Sequence, residues 1–270
     1  MNRAFVVSRP SRAFNGAILA LASAIGIAAF VYPFFQPRTG ASAAMGAVAH
    51  AQDAPLLFAV LIVLCLGAVL GNMLGSGLDS KMVAALGVLT AVNAVLRAVP
   101  GPVGFSAMMI LPILTGYCYG PTFGYLLGAL SMAVSALLGA GVGPWLPYQM
   151  FAIGWVGLTS AWLPRIRRPR LEAALLAVWA LLWGVLFGFV MNLWFWPFVF
   201  DSSQAGMHWE EGLGAAEGFR RYLAFYTVTS LWWDAGRAVG NVVLIAFFGA
   251  PVLRLLRRFG RRFTFEVRGI

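Results

Sequence analysis

Eight apolar runs, almost end to end, constrain this chain more than any other feature. Cut at prolines, glycines and charge clusters, they cover residues 14–35, 55–78, 82–99, 105–119, 123–142, 146–163, 171–199 and 223–253. A helix needs about 20 mostly apolar residues to cross a hydrocarbon layer about 30 Å thick. The run at 105–119 is short for that and reads as a tilted or re-entrant segment. The connectors are too short to build a separate core, the longest non-apolar stretch being 201–221. Of 270 residues, 61% are hydrophobic and 10% charged, whereas a soluble domain carries about 25% charge. A water-soluble globule of this size cannot hide that much apolar surface. The expected fold class is an all-α polytopic membrane protein.

The formal charge is +10, from 19 basic and 9 acidic residues. Its distribution sets an orientation rather than a polyanionic partner. With eight crossings and an inside N-terminus, the inner segments hold Arg3, Arg9, Arg12, Lys81, Arg165, Arg167, Arg168, Arg170 and the tail arginines 254, 257, 258, 261, 262 and 268. That is 14 basic residues, against Arg38, Arg97, Arg220 and Arg221 outside, with Arg237 left within a span. Basic residues collect on the cytoplasmic side, so both termini are expected inside and nucleic acid is not expected as a partner. Cys65 and Cys118 lie within apolar runs and make neither a disulfide framework nor a metal-ligand spacing.

Arg3, Arg9 and Arg12 before an apolar run resemble a secretory leader, and Ala49-His50-Ala51 resembles its cleavage site. That site lies well past the run it would have to follow closely. The expectation is an uncleaved first helix followed by an outer loop over 36–54. No glycine loop ending in Gly-Lys-Ser/Thr is present, so energy for uphill movement comes from an ion gradient or another chain.

Small residues recur at four-residue spacing: Gly120, Gly124 and Gly128 with Ser131, Ser135 and Gly139; Gly67, Gly71 and Gly75; Gly87 and Ala91; Gly184 and Gly188; Gly236 and Gly240. Such stripes let helix backbones approach closely. They serve either packing within the bundle or docking of another protein's helices.

Polar residues within the apolar runs are costly, roughly 2.5–3.5 kcal/mol for a charge at a span centre, and persist where they pair or face a cavity. Asp234, Arg237 and Asn241, at i, i+3 and i+7, share one helix face. They read either as a structural ion pair or as a ligand face, with Trp232 and Trp233 beside it. Asn93 and Arg97 sit one turn apart near the outer end of the third run, where Arg97 either snorkels to headgroups or meets an anionic ligand. On this topology Asn93, Arg97, Trp145, Tyr148, Gln149, Asn192 and Trp196 fall in the outer third of the membrane. An aromatic belt accounts for tryptophans there. It does not account for Asn93, Gln149 and Asn192. Together these residues predict a polar and aromatic cup open to the outside.

Catalytic chemistry finds little support. His50 and His208 fall in outer loops, and no His-Glu-x-x-His or Gly-x-Ser-x-Gly pattern occurs. No metal site, resident cofactor or enzymatic activity is expected. Two rivals to a capture protein remain: a proton-coupled secondary carrier using Asp234, and a membrane enzyme acting on a lipid.

The stretch from Lys81 onward resembles the substrate-capture subunits, or S components, of energy-coupling factor transporters. The residues that carry the resemblance are Asn93-Ala94-Val95-Leu96-Arg97, Leu111-Pro112-Ile113-Leu114-Thr115-Gly116, Gly120-Pro121-Thr122-Phe123-Gly124, Gly128-Ala129-Leu130-Ser131-Met132 and Gly143-Pro144-Trp145-Leu146-Pro147-Tyr148-Gln149-Met150. The segment from Thr229 to Asn241, containing Trp232-Trp233-Asp234-Ala235-Gly236-Arg237, also looks like that family. The resemblance implies a six-helix vitamin-binding core without catalysis, over 81–253, preceded by two extra transmembrane helices in 1–80 and followed by a basic cytoplasmic tail, 254–270. It implies a pocket made by loops and helix ends, and the residues read above as candidates for it are Asn93, Arg97, Trp145, Tyr148, Gln149, Asn192, Trp196, Trp233, Asp234, Arg237 and Asn241. It further implies docking on a transmembrane coupling subunit driven by two cytoplasmic ATPases, in the cytoplasmic membrane of a prokaryote. The family's Ala-x-x-x-Ala docking motif has its nearest match in Gly87-x-x-x-Ala91. The pattern looks closest to members linked to cobalamin uptake, so a corrinoid is the first expected cargo.

Overall fold

A computed structural model describes residues 9–35, 50–74, 80–99, 101–198, 206–210 and 212–262. The described residues form helices and turns with no strand. The helices are α1 (Arg9–Val31), α2 (Ala54–Leu74), α3 (Ser80–Ala98), α4 (Ile110–Tyr119), α5 (Pro121–Ser135), α6 (Leu146–Ser160), α7 (Pro169–Phe195), α8 (Ala215–Thr229), α9 (Leu231–Leu244) and α10 (Ala250–Arg262). Among the described residues, seven stretches are long and apolar enough to cross a membrane: Ala13–Phe35, Ala54–Met73, Ser80–Ala98, Pro102–Tyr119, Pro121–Ala140, Pro169–Phe198 and Leu231–Gly260. The chain is a multi-pass α-helical membrane protein.

The eighth expected span, 146–163, is the 15-residue α6, shorter than a lipid-exposed crossing needs. It does not face lipid along its length, because α4 and α5 cover it. A Cβ on Gly157 would lie 2.1 Å from Gly124 O, one on Gly128 2.4 Å from Ile153 O, and one on Gly116 1.9 Å from Gly157 O. Only glycine permits backbones this close. The pairing of 124 with 157 and 128 with 153 makes α5 and α6 antiparallel neighbours, so α6 returns the chain across the layer. Gly124 and Gly128 of the fifth run's stripe therefore serve bundle packing, while Gly120 and Gly139 meet nothing within 4 Å.

The last run is corrected more substantially. Residues 223–253 do not form one helix: the chain breaks at Ser230 (φ −128°, ψ −28°). Thr227 and Thr229 turn their hydroxyls back onto Leu223 O and Phe225 O, bonds that compete with straight helix geometry. Ser230 leaves the helix line to donate to Asn192 Oδ1 at 3.0 Å. The pass proper starts at Leu231 and continues through a wide turn at Ile245–Gly249 into α10. Upstream of the break, part of the stretch read as outer loop forms α8.

The two N-terminal helices pair with each other and dock on the rest. Asn15 and Asn72 exchange amide hydrogen bonds, both 2.6 Å, satisfying two amides that lipid would leave unpaired. Trp155 Nε1 donates to Ser23 Oγ at 3.2 Å, Gly26 receives the rings of Phe151 and Trp155, and Phe30 meets Tyr148 edge-on at 5.0 Å. At the opposite end, Glu172 in the first turn of α7 is buried and accepts from Tyr117 Oη at 2.8 Å and from Arg257 Nη1 at 2.9 Å. The expected basic tail thus begins as a helix pinned back onto the bundle.

Candidate functional site

The polar side chains at the outer end fall into three clusters. The first joins α3, α5 and α6. Asn93 is fully buried, and its Nδ2 donates to Met108 O at 3.0 Å and to Ser131 Oγ at 2.8 Å. One turn on, Arg97 Nη1 donates to Ser135 Oγ and Nη2 to Gln149 Oε1, both at 2.6 Å. Helix spacing explains the match: Asn93 and Arg97 are four apart on α3, as Ser131 and Ser135 are on α5. Arg97 points across the bundle rather than snorkelling to headgroups.

The second cluster lies between α7 and α9. Gly188 admits Asp234: a Cβ there would sit 1.7 Å from Asp234 Oδ2. Asp234 is buried and takes a hydrogen bond from Arg237 Nη1. The Arg237 guanidinium also stands over the Phe187 ring, 5.1 Å from its centroid, a cation–π placement. Asn192 Nδ2 caps Gly188 O at 2.8 Å, and Asn241 Nδ2 donates to Arg237 O at 2.9 Å with Met109 Sδ at 3.7 Å.

Met108 and Met109 link these two clusters, since Asn93 holds the carbonyl of one and Asn241 approaches the sulfur of the other. Four buried atoms of these two clusters have no hydrogen-bond partner: Asn93 Oδ1, Asn241 Oδ1, Asp234 Oδ2 and Arg237 Nε. Buried polar atoms are rarely left so, and these three acceptors and one donor have hydrogen-bonding capacity to spare.

The third cluster was not legible in the sequence. His50, expected in an outer loop, is buried in left-handed backbone (φ 60°) just before α2. Its Nε2–H donates to Trp194 O at 3.1 Å, and its Nδ1 lies 2.6 Å from Tyr148 Oη and 2.8 Å from Asp53 Oδ2. Tyr148 Oη also donates to Asp53 Oδ2 at 2.8 Å. Burial alone would raise the Asp53 carboxyl, but hydrogen bonds from His50, Tyr148 and Tyr32 outweigh it and hold the group below its ordinary value. This cluster rivets the N-terminal helices to α6 and α7. It also engages Tyr148, whose hydroxyl was expected in the cup.

The tryptophans part company with the cup. Trp196 is buried away from it, donating to Met207 O at 2.8 Å and packing against Phe34 and Tyr222. Trp232 and Trp233 are 72% and 57% exposed on the outer side of α9, so they do not flank Asp234 as aromatic walls. Trp145, 37% exposed, borders the turn that leads to Gln149. A depression of about 420 Å³ between residues 102–105 and α9, lined by Val103, Phe105, Gly236 and Gly240 among others, is apolar and separate from the polar clusters. In the sequence Ser131 and Ser135 stand out only as small residues. Their spacing against Asn93 and Arg97 is the signal that pairs them.

These features define a class: a multi-pass helical membrane protein with buried polar clusters between its helix ends, and no soluble module among the described residues. Residues 81–249, more than half of the chain, match the family described as ECF transporter, substrate-specific component. The chain belongs to that family and is a substrate-binding subunit of an energy-coupling factor transporter. The match starts within α3 and stops at Gly249, leaving α1, α2 and α10 outside it. Comparison with curated proteins and with solved structures finds no match.

Proposed function

We propose that the chain captures a vitamin at the outer face of a prokaryotic cytoplasmic membrane, carries out no catalysis, and passes the cargo inward by docking on a transmembrane coupling subunit driven by two cytoplasmic ATPases. The observation that carries the capture is the pair of polar walls either side of Met108–Met109, with Asn93 Oδ1, Asn241 Oδ1 and Arg237 Nε unpartnered. The vitamin is cargo rather than a cofactor. Cobalamin is the first candidate from the pattern of residues, and Trp145 O accepts from the backbone N–H of Gln149 at 2.9 Å.

Docking is supported by a contrast among the glycine stripes. Gly116, Gly124, Gly128, Gly184, Gly188, Gly236 and Gly240 are each crowded by a neighbouring element. A Cβ added at Gly87 would meet nothing within 4 Å, as at Gly67, Gly120 and Gly139, and on α3 Ala84, Val88, Ala91 and Val95 share its exposed face. That face of α3 is smooth and uncovered, as a partner helix requires.

Mass spectrometry of small molecules released from the purified protein tests the reading. The wild type is expected to release a vitamin in near-stoichiometric amount, and Asn93→Leu or Asn241→Leu to lose it. A wild type that releases none, and binds neither cobalamin nor other added vitamins, overturns capture. In cells, Gly87→Leu is expected to abolish ATPase-dependent uptake while leaving binding intact. Uptake that continues without any ATPase partner would instead favour a secondary carrier working through Asp234.

A further inference from the structure

Arg97 is a cation whose partners are all neutral. Its guanidinium has five N–H donors, and the two hydrogen bonds it makes go to a serine hydroxyl and a glutamine carbonyl. Ser135 Oγ spends its own proton on Met132 O at 2.8 Å, so it presents a lone pair to Arg97 and adds no charge. All five carboxylates among the described residues are engaged elsewhere: Asp53 with His50, Glu172 with Arg257, Glu210 with His208 and Arg221, Glu217 with Arg220 and Arg221, and Asp234 with Arg237. Asp234 shows how this bundle neutralises an arginine from within.

Dipoles orient a guanidinium without cancelling its charge, and a charge near the membrane interior without a counter-ion is expensive. The planar fork matches a carboxylate or phosphate in two parallel hydrogen bonds. Ser135 and Gln149 fix the plane from one side. Arg97 Nε makes no hydrogen bond and is not among the sealed atoms of the interior, so it stays open to an incoming group. Beside it lies the turn 136–145, where Gly139 and Gly141 take left-handed backbone at φ 102° and 92°.

We propose that Arg97 is an oxyanion subsite at the rim of the cup, receiving the carboxylate or phosphate of a captured solute or of an outer-leaflet lipid headgroup. As a statement about cargo it rests on the capture reading above.

The test purifies the full chain, wild type and the Arg97→Gln and Arg97→Lys variants, into nanodiscs of phosphatidylcholine doped with phosphatidylglycerol. Released solutes and retained lipids are then identified by mass spectrometry. Arg97→Gln keeps hydrogen-bonding capacity for Ser135 and Gln149 but removes the charge. The expected wild-type solute bears a carboxylate or phosphate, and its occupancy falls about 10- to 100-fold in Arg97→Gln, as loss of a charge-assisted hydrogen bond implies. Arg97→Lys retains part of it. If Arg97→Gln does not yield folded protein, Arg97→Lys carries the test through its intermediate loss. Phosphatidylglycerol retained by the wild type and lost from Arg97→Gln, with no solute released, assigns the subsite to a headgroup and removes the cargo reading. A neutral or cationic solute, or an acidic one held equally well by Arg97→Gln, overturns the oxyanion subsite while leaving capture standing.

Discussion

Arg97 and Arg237 occupy two neighbouring seams of one bundle, and they are treated in opposite ways. Arg237 shares its helix face with Asp234, pairs with it, and rests on Phe187. Arg97 reaches from α3 to α5 and α6 and finds only Ser135 and Gln149. The first seam settles its charge internally and offers a guest hydrogen bonds rather than charge. The second holds its charge in place without cancelling it, which suits a site that waits for something.

Removing the internal counter-ion should have the largest effect. Asp234→Asn leaves Arg237 charged and unpaired beneath Phe187, and breaking a buried pair typically costs about 3–5 kcal/mol. Denaturant or thermal unfolding in detergent is expected to show that loss, and the double variant Asp234→Asn with Arg237→Gln to recover most of it. If Asp234→Asn is no worse than Arg97→Gln, the two arginines are not distinguished by pairing at all.

Arg97→Gln should be mild by the same measurement, about 0.5–1.5 kcal/mol, because neutral hydrogen-bonding groups remain to meet Ser135 and Gln149. Its effect belongs to binding. A loss above about 3 kcal/mol, the scale of a broken buried pair, would make Arg97 a structural brace between α3, α5 and α6.

The smallest expected effect concerns the rivet at His50, where Asp53 is held by hydrogen bonds. Asp53 has its folded-state pKa held below the ordinary value, near 3.9 for an aspartate. Its contribution is therefore complete above that value and is lost as pH falls through the lower folded-state one. Amide exchange in the first turn of α2, where Ala54 N bonds His50 O and Leu57 N bonds Asp53 O, should stay slow down to about pH 4 and quicken only below it. Quickening already between about pH 7 and 5, the range of an ordinary histidine, would mean that Asp53 is not the group that titrates.

Much of the architecture is legible in the sequence. Hydropathy locates the crossings, and the i, i+3, i+7 spacing places Asp234, Arg237 and Asn241 on one face, which α9 reproduces. Charge asymmetry sets an orientation, and the motifs from Lys81 onward point to the family. Less legible is the break at Ser230, because the apolar pattern runs straight through it and the cause is a hydrogen bond to Asn192, 38 residues away. His50 is hidden for the same reason: its partners Tyr148 and Trp194 lie 98 and 144 residues along the chain. The tryptophans mislead, since composition counts rings without saying which way they face.

By itself the sequence determined that this chain is a helical bundle in lipid, since both helix closure and transfer into hydrocarbon depend on residues within one or two turns of each other. The tertiary structure decided that Gly71, Gly124 and Gly188 are filled by a neighbouring element while Gly67 and Gly87 stay open, and which arginine has a counter-ion. Those outcomes depend on what lies alongside each helix. A lateral neighbour in a bundle is set by packing between segments distant in the chain, and local pattern carries no record of it.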